Sequence, residues 1–274
     1  MNTRVYSGER RVDALDPRDR GLAYGDGVFE TILVHRGSLV WRDAHLARMQ
    51  RGCDALGIAS PAADFLRAET DALIADCGRG VLKIIVTRGI GARGYAPPRH
   101  GPATLLLSLS DAPLPPPRDG LVLRWCATPL AIQPRLAGLK HLNRLEQVLA
   151  RAEWDDPAID DGLQCDPAGR VACATSANLF VLRDGRWLTP PVVDCGVAGI
   201  CRGWILEHVA GAGEAVLARG DVESADGLVL CNAVRGILSV AALGSRRWPL
   251  HPQAVALQRQ LIASEPAFAP SEDA

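Results

Sequence analysis

Gly138-Leu139-Lys140-His141-Leu142-Asn143-Arg144-Leu145-Glu146-Gln147-Val148-Leu149 is the most informative stretch of this chain. It opens as a glycine-bearing loop and passes into a helix, because Leu145, Val148 and Leu149 recur at i, i+3 and i+4. Lys140 stands just before that helix, flanked by Leu139, His141 and Leu142. Two readings are open for it. A lysine near a helix start is ordinarily solvated. Desolvated by its apolar neighbours, the same amine has a lowered pKa and becomes an imine-forming nucleophile.

Composition narrows the setting. A chain of 274 residues is long enough for two modest domains or one large one. Thirty basic residues against 31 acidic ones give no electrostatic case for nucleic acid or an anionic membrane surface. The first residues, Met1 to Arg11, contain no apolar signal core, and no long apolar run follows, so the expectation is a soluble, cytoplasmic protein. The eight cysteines (Cys53, Cys77, Cys126, Cys165, Cys173, Cys195, Cys201 and Cys231) form no C-x-x-C pair and have no histidine at metal-ligand spacing. Reduced thiols packing as small hydrophobes are expected, with no disulfide framework and no metal site.

Taken in order, Val28 to Val34 reads as a strand that turns through His35-Arg36-Gly37-Ser38 into Leu39-Val40-Trp41, a hairpin. Asp43 to Leu56 is a helix with Leu46, Met49, Cys53 and Leu56 on one face and His45 and Arg48 on another. A second helix over 62–76 precedes a strand from Val81 to Thr87. Arg88-Gly89-Ile90-Gly91-Ala92-Arg93-Gly94-Tyr95 is a glycine-rich loop without the Gly-Lys-Ser/Thr ending of a nucleotide-phosphate loop. Thr104 to Ser110 is another strand. The proline-rich stretch 113–120 reads as a stiff linker. It divides an N-terminal α+β domain, 1–112, from a C-terminal α+β domain, 121–274, that carries Lys140. The latter holds a strand over 121–128, the Lys140 helix to about Trp154, and strand–turn–strand from Gly162 through Asn178-Leu179-Phe180. A helix from Arg202 to Val209, two strands about a turn over Leu228 to Ile237, and a helix over 252–263 complete it.

The string GLKHLNRLEQVLAR resembles the lysine segment of the aminodeoxychorismate lyases, within the class IV aminotransferase-like (fold type IV) pyridoxal-phosphate enzymes. The likeness covers essentially the whole chain. It implies a two-domain α+β fold like that of D-amino-acid aminotransferase, with the cofactor between the domains, and a homodimer. By the same resemblance Lys140 carries pyridoxal phosphate as a Schiff base and serves as general base and acid. In Tyr24-Gly25-Asp26-Gly27-Val28-Phe29-Glu30-Thr31 the implied roles are a substrate contact for Tyr24 and a catalytic, cofactor-facing position for Thr31. His45-Leu46-Ala47-Arg48 matches a pattern whose arginine grips the cofactor phosphate, a task suited to a planar guanidinium. Further phosphate contacts fall on Ile200 and Cys201, at a helix start, and on the turn at Asn232 and Ala233. Asn143 and one of the loop arginines, Arg93 in preference to Arg88, are implied as substrate contacts. The implied reaction is elimination of pyruvate from 4-amino-4-deoxychorismate to give 4-aminobenzoate for folate biosynthesis. The alternatives are a D-amino-acid or branched-chain aminotransferase on the same fold, or a non-catalytic pyridoxal-phosphate-binding protein.

Two residues depart from the family pattern: Trp187 replaces an aliphatic residue, and Cys173 stands where the family has Glu. That Glu pairs with the protonated pyridine nitrogen and sustains the cofactor as an electron sink. A neutral thiol is a weak partner by comparison. Transamination suffers most from a weaker sink, whereas elimination is helped by formation of an aromatic ring. Cys173 therefore argues for a lyase over an aminotransferase, and equally permits an impaired enzyme.

Overall fold

The computed structural model describes residues 2–98 and 100–270. The chain forms two compact units. One runs to Pro113 and takes in Leu139–Asn143; the other comprises Leu114–Gly138 and the chain from Arg144 onward.

The first unit is built on strands β1 (Asn2–Ser7), β2 (Arg10–Val12), β3 (Gly27–His35), β4 (Ser38–Leu39), β5 (Arg79–Thr87) and β6 (Thr104–Asp111). They form an antiparallel sheet in the order β2-β1-β6-β5-β3-β4. The β3–β4 turn places Arg36 and Gly37 at φ 50° and 70°, the mirror-image geometry that matches the twist of a hairpin. Helices α1 (Arg20–Tyr24), α2 (Arg42–Leu56) and α3 (Ala63–Ile74) complete the unit. Strand alternation sends Val28, Ile32, Leu82, Ile84, Leu105 and Leu107 to one face, where they pack with Met49 and Cys53 of α2 and Leu66 and Leu73 of α3. The opposite face, with Phe29, Thr31, Lys83, Ile85, Leu106 and Ser108, is half-buried or exposed.

Residues 139–143 fold with this unit because β3 has an open edge. β4 pairs only with Val34 and His35, leaving the first half of β3 without a neighbour on that side. The Phe29 N–H donates to the Lys140 carbonyl (2.9 Å), the Leu142 N–H donates to the Gly27 carbonyl (3.0 Å), and Val28 pairs with His141. A linear division at the linker assigns Lys140 to the C-terminal domain; backbone groups seeking partners place it in the N-terminal unit instead.

The second unit contains β7 (Leu121–Trp125), α4 (Leu145–Arg151), β8 (Asp161–Cys165), β9 (Val171–Ala174), β10 (Asn178–Arg183) and β11 (Arg186–Thr189). Then follow α5 (Ile200–His208), β12 (Gly213–Glu214), α6 (Arg219–Glu223), β13 (Gly227–Asn232), β14 (Gly236–Leu243), β15 (Arg246–Arg247) and α7 (Pro252–Ser264). Its mixed sheet runs β12-β11-β10-β13-β14-β7-β8-β9, with β15 beside β14. Leu121, Leu163, Leu179, Val181, Leu228, Leu230 and Val240 form its core. β7 stops at Trp125, short of the expected 128, because the N–H groups of Ala127 and Thr128 turn to the Glu153 carboxylate (2.8 and 2.7 Å). α4 ends at Arg151, short of Trp154, whose buried indole donates to the Ile159 carbonyl (3.1 Å). The apolar residues that mark α4 in the sequence, Leu145, Val148 and Leu149, stand exposed. All eight cysteines are free thiols. Among the described residues no helix is long and apolar enough to cross a membrane, and no cluster of three or more potential metal ligands occurs.

Candidate functional site

In the first unit Lys140 is half-buried, its Nζ 4.3 Å from the centroid of the Phe29 ring, where the ring face attracts a cation. Thr31 is two residues further along β3, on the same face. Asn143 donates its amide to the Gly25 carbonyl (3.1 Å). Gly25 closes α1 in the left-handed region (φ 65°), and a Cβ there would lie 2.6 Å from Asn143 Oδ1. Glycine is therefore required at 25 both by the turn and by the approach of the Lys140 segment.

Tyr24 and the glycine-rich loop meet at the end of α1. The Gly94 N–H donates to the Tyr24 hydroxyl (3.2 Å), and the Tyr24 and Tyr95 rings are 5.6 Å apart. Arg20, buried, donates to the carbonyls of Gly94 and Tyr95 (both 3.0 Å) and pairs with Asp26 (2.8 Å). Arg88 also grips Asp26 (2.7 and 3.0 Å) and donates to the carbonyls of Leu56 and Gly57 (both 2.7 Å). Burial alone would raise the Asp26 pKa, but bonds from Arg88 and Arg20 outweigh it and hold the carboxyl below its usual range. Arg88 is thus engaged as a clamp, while Arg93 is exposed. The sequence reading missed Arg20 and Asp26; opposite charges on both sides of so short a helix were the available signal.

Arg48 and His45 are buried around Glu30, whose exposure is 0%. Arg48 Nε and Nη2 donate to the two carboxylate oxygens (2.8 and 2.5 Å), and His45 Nδ1 lies 2.6 Å from Glu30 Oε2. Burial would raise the Glu30 pKa; bonds from Arg48 and His45 bring it below the ordinary value. Burial lowers His45 against the pull of Glu30. His45 Nε2 is buried and has no hydrogen-bond partner among the described residues. This trio was also missed, although Glu30 occupies the inward register of Val28, Ile32 and Val34, where a charge demands a partner.

The second unit carries its own groups. Gly199 caps α5 without a side-chain bond, leaving the N–H groups of the first turn, including Ile200 and Cys201, suited to an anion. A Cβ at Gly199 would overlap Asn178 Oδ1, and the Asn178 amide donates to the Val197 carbonyl (3.0 Å). Gly199→Ala is expected to displace that buried amide and cost about 1–3 kcal/mol, read as a lowered melting temperature; an unchanged melting temperature would show that Asn178 relaxes freely. Asn232 Oδ1 accepts from the N–H groups of Val234 (3.0 Å) and Arg235 (2.8 Å), shaping the turn that holds Ala233. The Cys201 thiol lies against that of Cys231, and this contact together with burial pushes it well above the ordinary thiol range. Cys173 packs with Leu130, Ala172 and Cys195. Burial pushes its thiol up to about 12, opposed by the charge of Arg144, so it is neutral at physiological pH. Arg144, whose own pKa burial lowers, was passed over in the sequence although it lies in the quoted segment.

Residues 27–243 match the amino-transferase class IV family. The chain is 36% identical to the aminodeoxychorismate lyase of Vibrio harveyi over 235 residues, covering 83% of this chain and 86% of that one. It is 27% identical to a putative branched-chain-amino-acid aminotransferase of Methanocaldococcus jannaschii over 257 residues, 89% of this chain and 88% of that one. The crystal structure of 4-amino-4-deoxychorismate lyase from Pseudomonas aeruginosa superposes with a TM-score of 0.89 at 42% identity, covering 95% of this chain and 99% of that one. With its α+β units and the matched span from Gly27 to Leu243, the chain belongs to the amino-transferase class IV family.

Proposed function

We propose that this protein is an aminodeoxychorismate lyase that releases pyruvate from 4-amino-4-deoxychorismate and leaves 4-aminobenzoate, a step toward folate. The observation that carries the proposal is the placement of Lys140, held by main-chain pairing on β3 with its amine over Phe29, on the strand face that Thr31 shares. The cofactor of the family is pyridoxal phosphate. Within the second unit the groups present fit it: the uncapped first turn of α5 at Ile200 and Cys201 and the turn at Asn232 and Ala233 are suited to phosphate. In the first unit, Arg48 is the residue that the family pattern assigns to the same task. When bound, the cofactor supplies an electron-withdrawing ring that acidifies the substrate carbon bearing the amine.

Lys140 would hold the cofactor, and its amine, when free, takes the proton from the substrate carbon that bears the amine. The C–H electron pair forms the new ring double bond while the neighbouring C–O bond breaks. Lys140 then returns the proton to the departing enolpyruvate carbon, giving pyruvate. Thr31, on the same sheet face, orients the reacting groups, with Tyr24, Asn143 and Arg93 contacting substrate. Engagement of Arg88 by Asp26 supports Arg93 as the carboxylate ligand of the loop. Leu145, Val148 and Leu149, exposed on α4, support a homodimer in which a second copy covers them; we place that dimer in the cytoplasm.

The test is pyruvate release from aminodeoxychorismate set beside a panel of amino-acid and keto-acid pairs. A protein that transaminates the panel and releases no pyruvate is an aminotransferase, not a lyase. The neutral Cys173 thiol supports elimination, and Cys173→Glu probes it. A carboxylate there should stabilise a protonated pyridine nitrogen, since an opposite charge within about 4–6 Å favours the charged form. Half-transamination with an amino acid is expected to rise more than lyase turnover. A variant that gains lyase rate more than half-transamination would mark Cys173 as a simple impairment.

A further inference from the structure

We propose that Arg20 is a positioning residue that holds the glycine-rich loop in place, so that Arg93 is presented to the substrate. The proposal rests on the lyase reading and deepens it. Residues 92–97 are all exposed, and among the described residues no bond between main-chain groups secures them. A loop with so few ties is ordinarily mobile. Arg20 supplies what the loop lacks. Buried at 4% exposure, it donates from Nη1 to the Gly94 carbonyl (3.0 Å) and from Nη2 to the Tyr95 carbonyl (3.0 Å), with Nη1 also 3.5 Å from the Ala96 carbonyl. Its aliphatic stem passes close to the start of the loop, where a Cβ at Gly91 would lie 2.7 Å from Arg20 Cδ. Arg93 therefore sits between two points, Gly91 and Gly94, that one buried side chain fixes.

The rest of the unit fixes Arg20 in turn. Its N–H donates to the Gly89 carbonyl (2.9 Å), and its carbonyl accepts from the Asp26 N–H (3.3 Å). Its Nε donates to the Asp26 carboxylate (2.8 Å), and its guanidinium carbon lies 4.7 Å from the centroid of the Tyr24 ring. Tyr24 reaches the same loop, since its hydroxyl accepts from the Gly94 N–H. One guanidinium thus joins two residues proposed to contact substrate, Tyr24 and Arg93. Charge alone does not require an arginine at 20, because Arg88 already pairs with Asp26 at 2.7 and 3.0 Å. The fork does require it: a guanidinium carries five donors in fixed geometry and here meets a carboxylate and successive carbonyls at once. A lysine ammonium in its place keeps Asp26 within reach but cannot also span Gly94 and Tyr95.

The experiment compares the parent holoenzyme with Arg20→Lys and with Gly91→Ala, which keeps Arg20 but crowds its stem, each alone and combined with Arg93→Ala. Hydrogen exchange read by mass spectrometry is the first arm. Peptides spanning 90–97 are expected to exchange about tenfold faster in Arg20→Lys, and β3 peptides at the parent rate. Kinetics are the second arm. Arg20→Lys is expected to raise KM for aminodeoxychorismate about tenfold with the turnover number near the parent value. In the Arg93→Ala background the same substitution should change KM by less than about twofold, because a residue that acts through Arg93 has nothing left to position. Gly91→Ala should repeat both results, and it decides the matter if fast β3 exchange shows that Arg20→Lys is unfolded. Unchanged loop exchange, an unchanged KM, or a KM effect that persists in full without Arg93 overturns the proposal while the lyase reading stands. Were the parent to show no lyase turnover, that reading would fall, and the exchange arm would still decide whether Arg20 holds the loop.

Discussion

Lys140→Ala is expected to abolish covalent attachment of pyridoxal phosphate and to lower lyase turnover by at least about 10³-fold, within the range of a general acid–base group alone. The fold should survive. What anchors residue 140 is its carbonyl, which accepts from the Phe29 N–H, and alanine keeps that bond. The lost side chain is half-buried, so the melting temperature should move little. Borohydride reduction followed by peptide mass analysis reads the attachment site, and pyruvate release reads turnover. The control is built into the chain, because Lys83 is the one other lysine and its Nζ reaches the same aromatic ring. Cofactor attached at Lys83 with turnover preserved would sink the assignment of Lys140.

The periodic elements of this fold are legible in its sequence. β3, α2, β5, β6 and α7 fall within a few residues of the spans that alternation and helical spacing mark out, because each buries one face in its own unit's core. What periodicity conceals is ownership. Nothing in Leu139–Asn143 announces that it completes the edge of β3, since that vacancy exists only because β4 is two residues long. The α4 stripe misleads in the opposite way: Leu145, Val148 and Leu149 have helical spacing but remain exposed, so spacing marks the helix without naming the face it buries.

The site divides along the same line. The motif residues are recognisable by pattern, and the structure brings Lys140, Thr31, Tyr24, Arg93 and Asn143 into one unit. The ion pairs around them are not visible locally. Arg88 and Arg93 look equivalent in the loop, and only the long-range reach of Asp26 commits the first. Lys83 looks like any polar interruption of a strand until register sets it opposite Thr31. Both outcomes depend on side chains far apart in sequence, which composition and spacing do not encode.

Arg48→Leu should then do two things at once, because beside the phosphate contact proposed for it Arg48 pairs with the buried Glu30. Removing a charge-assisted phosphate contact is expected to weaken pyridoxal-phosphate binding about ten- to hundredfold. Removing the counter-ion of Glu30 strands a buried carboxylate, which costs about 3–5 kcal/mol. The two losses separate by pH. In the parent, the folded Glu30 pKa lies below its unfolded value, so the pairing stabilises the fold above the ordinary carboxylate range and loses that contribution as pH falls through the folded value. Without Arg48, burial dominates and raises the folded pKa of Glu30. The variant is then penalised near neutrality and relieved as acid protonates the carboxyl. The melting-temperature gap between parent and variant apoprotein should therefore narrow between neutral pH and about pH 5. Arg48→Leu combined with Glu30→Gln should recover part of the stability at neutral pH without recovering cofactor affinity, because the amide needs no counter-ion and offers the phosphate no cation. A gap independent of pH, or a double variant no more stable than the single, would show that Glu30 is not the source of the cost.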